Sequence, residues 1–275
     1  MPTILARARD RTYSDFLMGS RLDLYRGMLE SALGAGYRIL SIEQAWRLIE
    51  DERFDPARRH LVLRHDVDTD PGTAAAMWEI ERALGIMSSY YFRLSTLDPS
   101  LMARIGADGG EASYHYEELA TVAKRRGLRS RTVVEAHIPE ARARFAQNLA
   151  RIRASTGLPL RVVASHGDFV NRRLGIPNWV ILDDPAFRKE VGIDLEAYDR
   201  ALLDRLTIQH SDVPYPRYWE PGDPADAIRA GEPVVFILVH PRHWRVHRLV
   251  NARDDIRRVV EGVRFTLGVP ARRQQ

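Results

Sequence analysis

The chain of 275 residues contains no cysteine. Disulfides and thiolate-held zinc are therefore both excluded, and any metal must be held by His, Asp or Glu. Lysine is scarce: Lys124 and Lys189 are the only two, so the positive charge is almost all arginine. No apolar run approaches the roughly 18 residues needed to span a bilayer, so no membrane span is expected. The first eleven residues alternate basic and small side chains and lack the apolar stretch of a secretory signal. The expectation is a cytoplasmic protein. Internal repeats, low-complexity tracts and obvious linkers are also missing.

What is present suits a folded enzyme-sized domain. Hydrophobic residues make up 45% of the chain, enough for a sizeable core. The formal charge of +4 comes from 41 basic and 37 acidic residues that are interleaved along the chain. A nucleic-acid surface needs its basic residues gathered on a stripe or patch. The densest basic run, 124–131, follows a helical pattern and reads as a solvated helix end. No nucleic-acid partner is expected, while a homo-oligomer is left open.

The first sixty residues read as helical. Leu22, Leu24, Tyr25, Met28, Leu29 and Leu33 give an apolar face at helical spacing, ended by Gly34 to Gly36. Ser41 and Gln44 form a capping-box pattern that opens a second helix to about Asp51. The rhythm then changes. Short runs at 61–64, 88–94, 112–116, 161–165, 179–182, 206–209 and 234–239 read as seven strands. Helical patterns at 72–84, 116–126 and 140–154 lie between them, and a last helix at 254–266 follows. Alternating strands and helices predict a parallel sheet. The simplest division is an N-terminal helical extension (1–58), an α/β domain (59–270) and a flexible tail (271–275).

Polar residues cluster where parallel α/β folds bind ligands, at the carboxyl ends of strands. The first strand ends Arg64-His65-Asp66-Val67-Asp68 and the third Tyr114-His115-Tyr116-Glu117. The fourth ends Ser165-His166-Gly167-Asp168, the sixth His210-Ser211-Asp212 and the last Val239-His240-Pro241. A mixed His/Asp set is what a cation such as zinc needs when cysteine is absent. Residues two apart on a strand share a face, so Asp66 and Asp68 converge if the backbone stays extended, and His65 points away. Asp66 and Asp68 can also act as helix-capping residues, since Asp70 and Pro71 read as a helix start.

These segments resemble, in order, the motifs of the polysaccharide deacetylase-like family (carbohydrate esterase 4, NodB-related). Residues 61–68 resemble its first motif, in the branch written RHDVD rather than TFDDG. SSYYFRL (88–94) resembles the following aromatic strand, EASYHYE (111–117) the EIGxH segment, ASHG (164–167) the third motif and LVHPRHW (238–244) the last. The resemblance implies a distorted (β/α)7 barrel and a divalent metal, most simply zinc. It implies Asp66 as general base, Asp68 and His115 as metal ligands and His240 as general acid. The family's second motif is His-x-x-x-His, but Leu119 stands four residues after His115. His166 is the candidate for the missing ligand, with Glu117 the runner-up and His65 a further alternative. Asp212 is assigned to orient His240 or another imidazole. Asn171 and Arg172 are weaker candidates for substrate contact, and Tyr116, Trp219 and Trp244 for a sugar-stacking wall.

The implied activity is metal-dependent removal of an N-acetyl group from a carbohydrate or sugar precursor. Two rivals remain open: a hydrolase of non-sugar amides or esters, and a catalytically inactive barrel that binds carbohydrate or serves assembly.

Overall fold

The computed structural model describes residues 3–55 and 57–269, so the segment 271–275 lies outside the described residues. Nine strands form one sheet: β1 (Arg38–Leu40), β2 (His60–Val67), β3 (Ser89–Phe92), β4 (Glu111–Tyr116), β5 (Val162–Ser165), β6 (Leu195–Glu196), β7 (Ile208–Asp212), β8 (Trp219–Glu220) and β9 (Val234–Val239). Their order is β6-β5-β4-β3-β2-β9-β7-β8, with β1 beside the start of β2. Every pairing is parallel except the short antiparallel contact of β7 with β8.

The sheet is strongly curled. β6 lies four ladder steps from β2, about 19 Å across a flat sheet at ~4.8 Å per step. Yet Arg64 on β2 places its Nη2 3.4 Å from the hydroxyl of Tyr198, two residues past β6. Alternation then sends each strand's residues to two different cores. Val62, Tyr91, Val162, Ala164, Leu195 and Phe236 share the core of the concave side. Leu61, Leu63, Val235, Ile237 and Val239 pack outward on Tyr25, Leu29 and Met77. Burial on both faces explains why β9 is a continuous apolar run, and β2, buried throughout, is apolar from Leu61 to Leu63 before its polar end.

Local chemistry fixes the helices between the strands. Four begin with aspartate followed by proline: Asp70-Pro71, Asp98-Pro99, Asp184-Pro185 and Asp223-Pro224. In each, the carboxylate accepts a first-turn backbone N–H and proline occupies the position whose N–H has no helical partner, a cap that stabilises by ~1 kcal/mol. The Ser41–Gln44 capping box forms as expected.

Two sequence expectations change. The N-terminal sixty residues are not wholly helical, because β1 joins the sheet there. The expected strand at 179–182 is a 3-10 turn, Asn178–Leu182. Asn178 anchors it, donating to the His166 carbonyl (2.6 Å) and accepting from Ala120 N (3.0 Å). One edge of the sheet is instead β6, two residues long. The N-terminal helix Ile4–Thr12 runs into a π-helical turn, Tyr13–Leu17. There Asp15 pairs with Arg242 (2.8 Å) and its carbonyl accepts from Asn251 (2.8 Å) on the C-terminal helix Arg248–Leu267. This fastens the N-terminus over the carboxyl ends of the strands. No described helix is long and apolar enough to cross a membrane.

Candidate metal centre

On β2, Val62, Arg64 and Asp66 share the concave face by their spacing. Arg64 grips Asp66 with two hydrogen bonds, Nε to Oδ1 (2.7 Å) and Nη2 to Oδ2 (2.9 Å). The chain then turns, with Asp68 N donating to the Asp66 carbonyl (2.9 Å). Both carboxylates thereby approach one imidazole: His115 Nε2 lies 3.4 Å from Asp66 Oδ2 and 3.4 Å from Asp68 Oδ1. His65 points the other way, fully buried against Tyr25 OH (2.8 Å), Glu81 (3.0 Å) and the Ser89 carbonyl (3.0 Å). It is not part of this site.

The two imidazoles are locked from behind. His115 Nδ1 lies 3.0 Å from the Ala164 carbonyl, an acceptor only, so Nδ1 carries the proton and Nε2 presents its lone pair to the carboxylates. His166 Nδ1 lies 3.1 Å from Glu117, which is itself clamped by Arg93 through two bonds of 2.8 and 2.7 Å. His166 Nε2 is left 3.6 Å from Asp68 Oδ1. One donor atom each from Asp68, His115 and His166 falls within 4.8 Å of the others. Asp68 Oδ1 is buried and accepts no hydrogen bond from the described residues. A buried carboxylate oxygen without a donor is costly, and one facing two nitrogen lone pairs fits a divalent cation.

The electrostatics agree with that fit. Burial pushes His115 down to about 4, so at neutral pH it is an uncharged donor. Burial alone would raise Asp68, but His166, His115 and Arg93 hold it well below the usual carboxylate range. Burial also works against a charged His166, and Asp68 with Glu117 outweighs it, raising its pKa. The carboxylates that raise its affinity for a proton equally favour a cation.

A second Asp–His pair stands on the same rim. His240 Nδ1 lies 2.7 Å from Asp212 Oδ1, and Asp212 Oδ2 accepts from His240 N (2.9 Å) and Trp244 Nε1 (2.9 Å). Burial opposes the charged imidazole, but Asp212 prevails and His240 is raised to about 9. Asp66, Asp68 and His240 all line one cavity of about 510 Å³. The N-terminal segment (Asp10, Arg11, Asp15) and the loop after β7 close its sides.

The other candidates are placed elsewhere. Asn171 is buried in a capping box with Asp168 and donates to the Ile176 carbonyl, so it holds a loop and not a substrate. Arg172 is exposed and bonds the Gly167 carbonyl (2.9 Å). No stacking wall forms from Tyr116, Trp219 and Trp244: Tyr116 and Trp244 are buried in separate cores, and Trp219 packs on Trp244. Sequence reasoning missed Arg64 and Arg93. The spacing of Arg64 two residues before Asp66 on a strand is the signal that reveals the first. Nothing local reveals Arg93, which meets Glu117 across 24 positions.

No protein-family model matches the chain, and no curated protein matches it. Among solved structures it is similar to IcaB from Ammonifex degensii, with 15% sequence identity and a TM-score of 0.42, over 67% of this chain and 80% of that chain.

Proposed function

We propose that this protein is a metal-dependent hydrolase that removes an N-acetyl group from a carbohydrate or sugar precursor. The observation that carries this reading is the buried, donor-free Asp68 Oδ1 facing the Nε2 atoms of His115 and His166. The ordered motif resemblance supports the substrate class. The seven strands from β6 to β7 in the sheet order are all parallel, which supports a distorted (β/α)7 barrel. A precursor made in the cytoplasm is the substrate pool this reading favours.

Asp68, His115 and His166 would hold the cation, with zinc the simplest choice for a His/His/Asp set. When bound, it supplies Lewis acidity toward an acyl carbonyl and toward water. The chain's own groups do the rest. Burial pushes Asp66 up, but Arg64 dominates and keeps its pKa below the ordinary value, so it is an ionised base at neutral pH. It accepts the proton of the water that adds to the acyl carbon. His240, protonated below about 9, donates to the departing nitrogen as the C–N bond breaks. Asp212 fixes the His240 ring and supports its charge.

The test is metal content and acetate release from N-acetylated sugars, in the parent and in Asp68→Ala, His115→Ala and His166→Ala. Near-stoichiometric metal in the parent, lost in all three folded variants, is expected. A parent that takes up no metal when divalent ions are supplied would sink the proposal.

A further inference from the structure

Beside the catalytic cavity lies a second one, also of about 510 Å³, whose walls include Ser20, Arg21, Arg217, Tyr218 and Trp219. Arg21 is the unusual member. Its guanidinium carbon stands 3.9 Å from the Tyr218 ring centroid and 4.8 Å from that of Trp244. Among the described residues this guanidinium makes no hydrogen bond and no ion pair. The other arginines of this rim behave differently. Arg64 and Arg93 each grip a carboxylate through two bonds. Arg242 meets Asp15, Asp254 and Asp255, and Arg258 meets Asp254.

Two further observations point the same way. Tyr218 adopts φ 62°, a left-handed conformation that a residue with a side chain takes only at a cost. That backbone, held by Val213 N on the Tyr218 carbonyl (2.9 Å), delivers the ring to Arg21. Burial pulls the Arg21 pKa down, and Tyr218, Asp212 and Asp223 do not offset it. The acid on the cavity wall, Asp223, is already engaged as the cap of the helix Pro224–Ala230. A planar guanidinium stacked on aromatic faces keeps its in-plane N–H groups free, a geometry that matches the paired oxygens of a phosphate or carboxylate.

We propose that Arg21 recognises an anionic group, a phosphate or a carboxylate, carried by the acylated substrate. The two cavities adjoin at Arg217, which lines both, and at the Tyr13–Tyr215 ring pair, 4.6 Å apart, with one ring in each wall. A substrate spanning them puts its amide beside Asp66 and His240 and its anion on Arg21. Trp244 joins the two ends, since it stacks on Arg21 and donates to Asp212. The substrate assignment rests on the deacetylase reading; the anion site does not.

The test separates the two. Inorganic phosphate and glucuronate are titrated calorimetrically into chelator-treated parent and into the His115→Ala protein. At least one anion is expected to bind both. Arg21→Met should weaken it about tenfold or more, as for loss of a charged hydrogen-bond pair. Arg21→Lys, which keeps the charge but loses the planar fork, should weaken it about threefold. The anion that binds better identifies the source, phosphorylated sugar or uronate. In the metal-loaded enzyme, Arg21→Met should raise KM for the matching anionic acetylated sugar about tenfold relative to neutral N-acetylglucosamine. Binding of neither anion, or binding indifferent to both Arg21 variants at unchanged melting temperature, overturns the proposal. If Arg21→Met does not fold, indifference of Arg21→Lys alone overturns it. Anion binding without hydrolysis of any acetylated sugar supports the Arg21 site and defeats the deacetylase reading instead.

Discussion

Asp68 with His115 and His166, and Asp212 with His240 and His243, are both triplets of one aspartate and two histidines at strand ends. Each is compact enough to hold an ion. They differ in what else satisfies the aspartate. Asp212 is saturated: Oδ1 bonds His240 Nδ1, and Oδ2 accepts two N–H groups, from His240 N and Trp244 Nε1. His243 Nδ1 stands 3.2 Å away without making a hydrogen bond. Asp68 keeps one buried oxygen with no donor among the described residues. The imidazoles differ in the same sense. His115 and His166 spend Nδ1 on groups behind them and turn Nε2 to their aspartate, whereas His240 spends Nδ1 on the aspartate itself. On the proposed reading, the same residue types would hold a cation in one place and serve as a protonated, oriented acid in the other, because hydrogen-bond saturation differs and not composition.

The comparison breaks most visibly on metal content. Asp68→Ala should abolish both metal binding and hydrolysis, while Asp212→Ala should leave metal stoichiometry intact and lose activity. Elemental analysis of the two purified variants reads this directly, and metal loss in the Asp212 variant would merge the two triplets into one site. His240→Ala comes next. It should lower kcat by roughly 10²–10⁴-fold, the usual worth of a general acid, at unchanged metal content. A fall below tenfold in single-turnover rate would remove His240 from the proton transfer.

Asp212→Asn sharpens the contrast through pH. His240 is raised to about 9, so the acid is present below that pH, and activity should fall as pH rises through about 9. Removing the Asp212 charge leaves burial as the main influence on the ring. The high-pH limb should then move down, toward or below the ordinary histidine value of about 6.5, with activity at pH 8 falling on the order of ten- to a hundredfold. The sign holds for stability too. A histidine whose folded pKa is raised contributes fully below its unfolded pKa and loses that contribution as pH climbs to about 9. Asn at 212 should therefore cost more in thermal stability at pH 6 than at pH 10. A pH–rate profile identical to the parent's would break the assignment.

How much of this is legible in the sequence follows from how strands map chain position onto space. A parallel ladder turns the last residues of separate strands into neighbours, so Asp66, Asp68, His115, His166, Asp212 and His240 could be named before their partners were known. Parity on β2 likewise separates His65 from Asp66. Short elements escape, because β6 and β8 have two residues each and β1 three, too few for alternation to register. The apolar run at 179–182 carries no periodicity that tells a strand from a 3-10 turn. The aromatic candidates fail for another reason: Trp244 lies next to the rim in sequence, but its ring is buried and its N–H is spent on Asp212. The second layer, Glu117 with Arg93, depends on contacts across 24 and 49 positions that no local pattern encodes.

That second layer supplies the smallest and most discriminating effect. Glu117 is held well below the ordinary carboxylate range, burial being overcome chiefly by Arg93 and His166. Its Oε2 fixes the His166 ring from behind, and it is the alternative metal ligand if His166 is not one. Glu117→Gln preserves size and an acceptor for His166 Nδ1 but removes the charge that makes the imidazole a better donor. If His166 holds the metal, affinity should weaken about 10–100-fold, as for other carboxylates behind a metal-bound histidine, with activity recovering when metal is added in excess. If Glu117 holds the metal directly, the variant should behave as Asp68→Ala does, with metal lost and no recovery. Competition titration with a chromogenic chelator, run below a melting temperature that falls because Arg93 is left buried without its partner, distinguishes a ligand from the group that orients one.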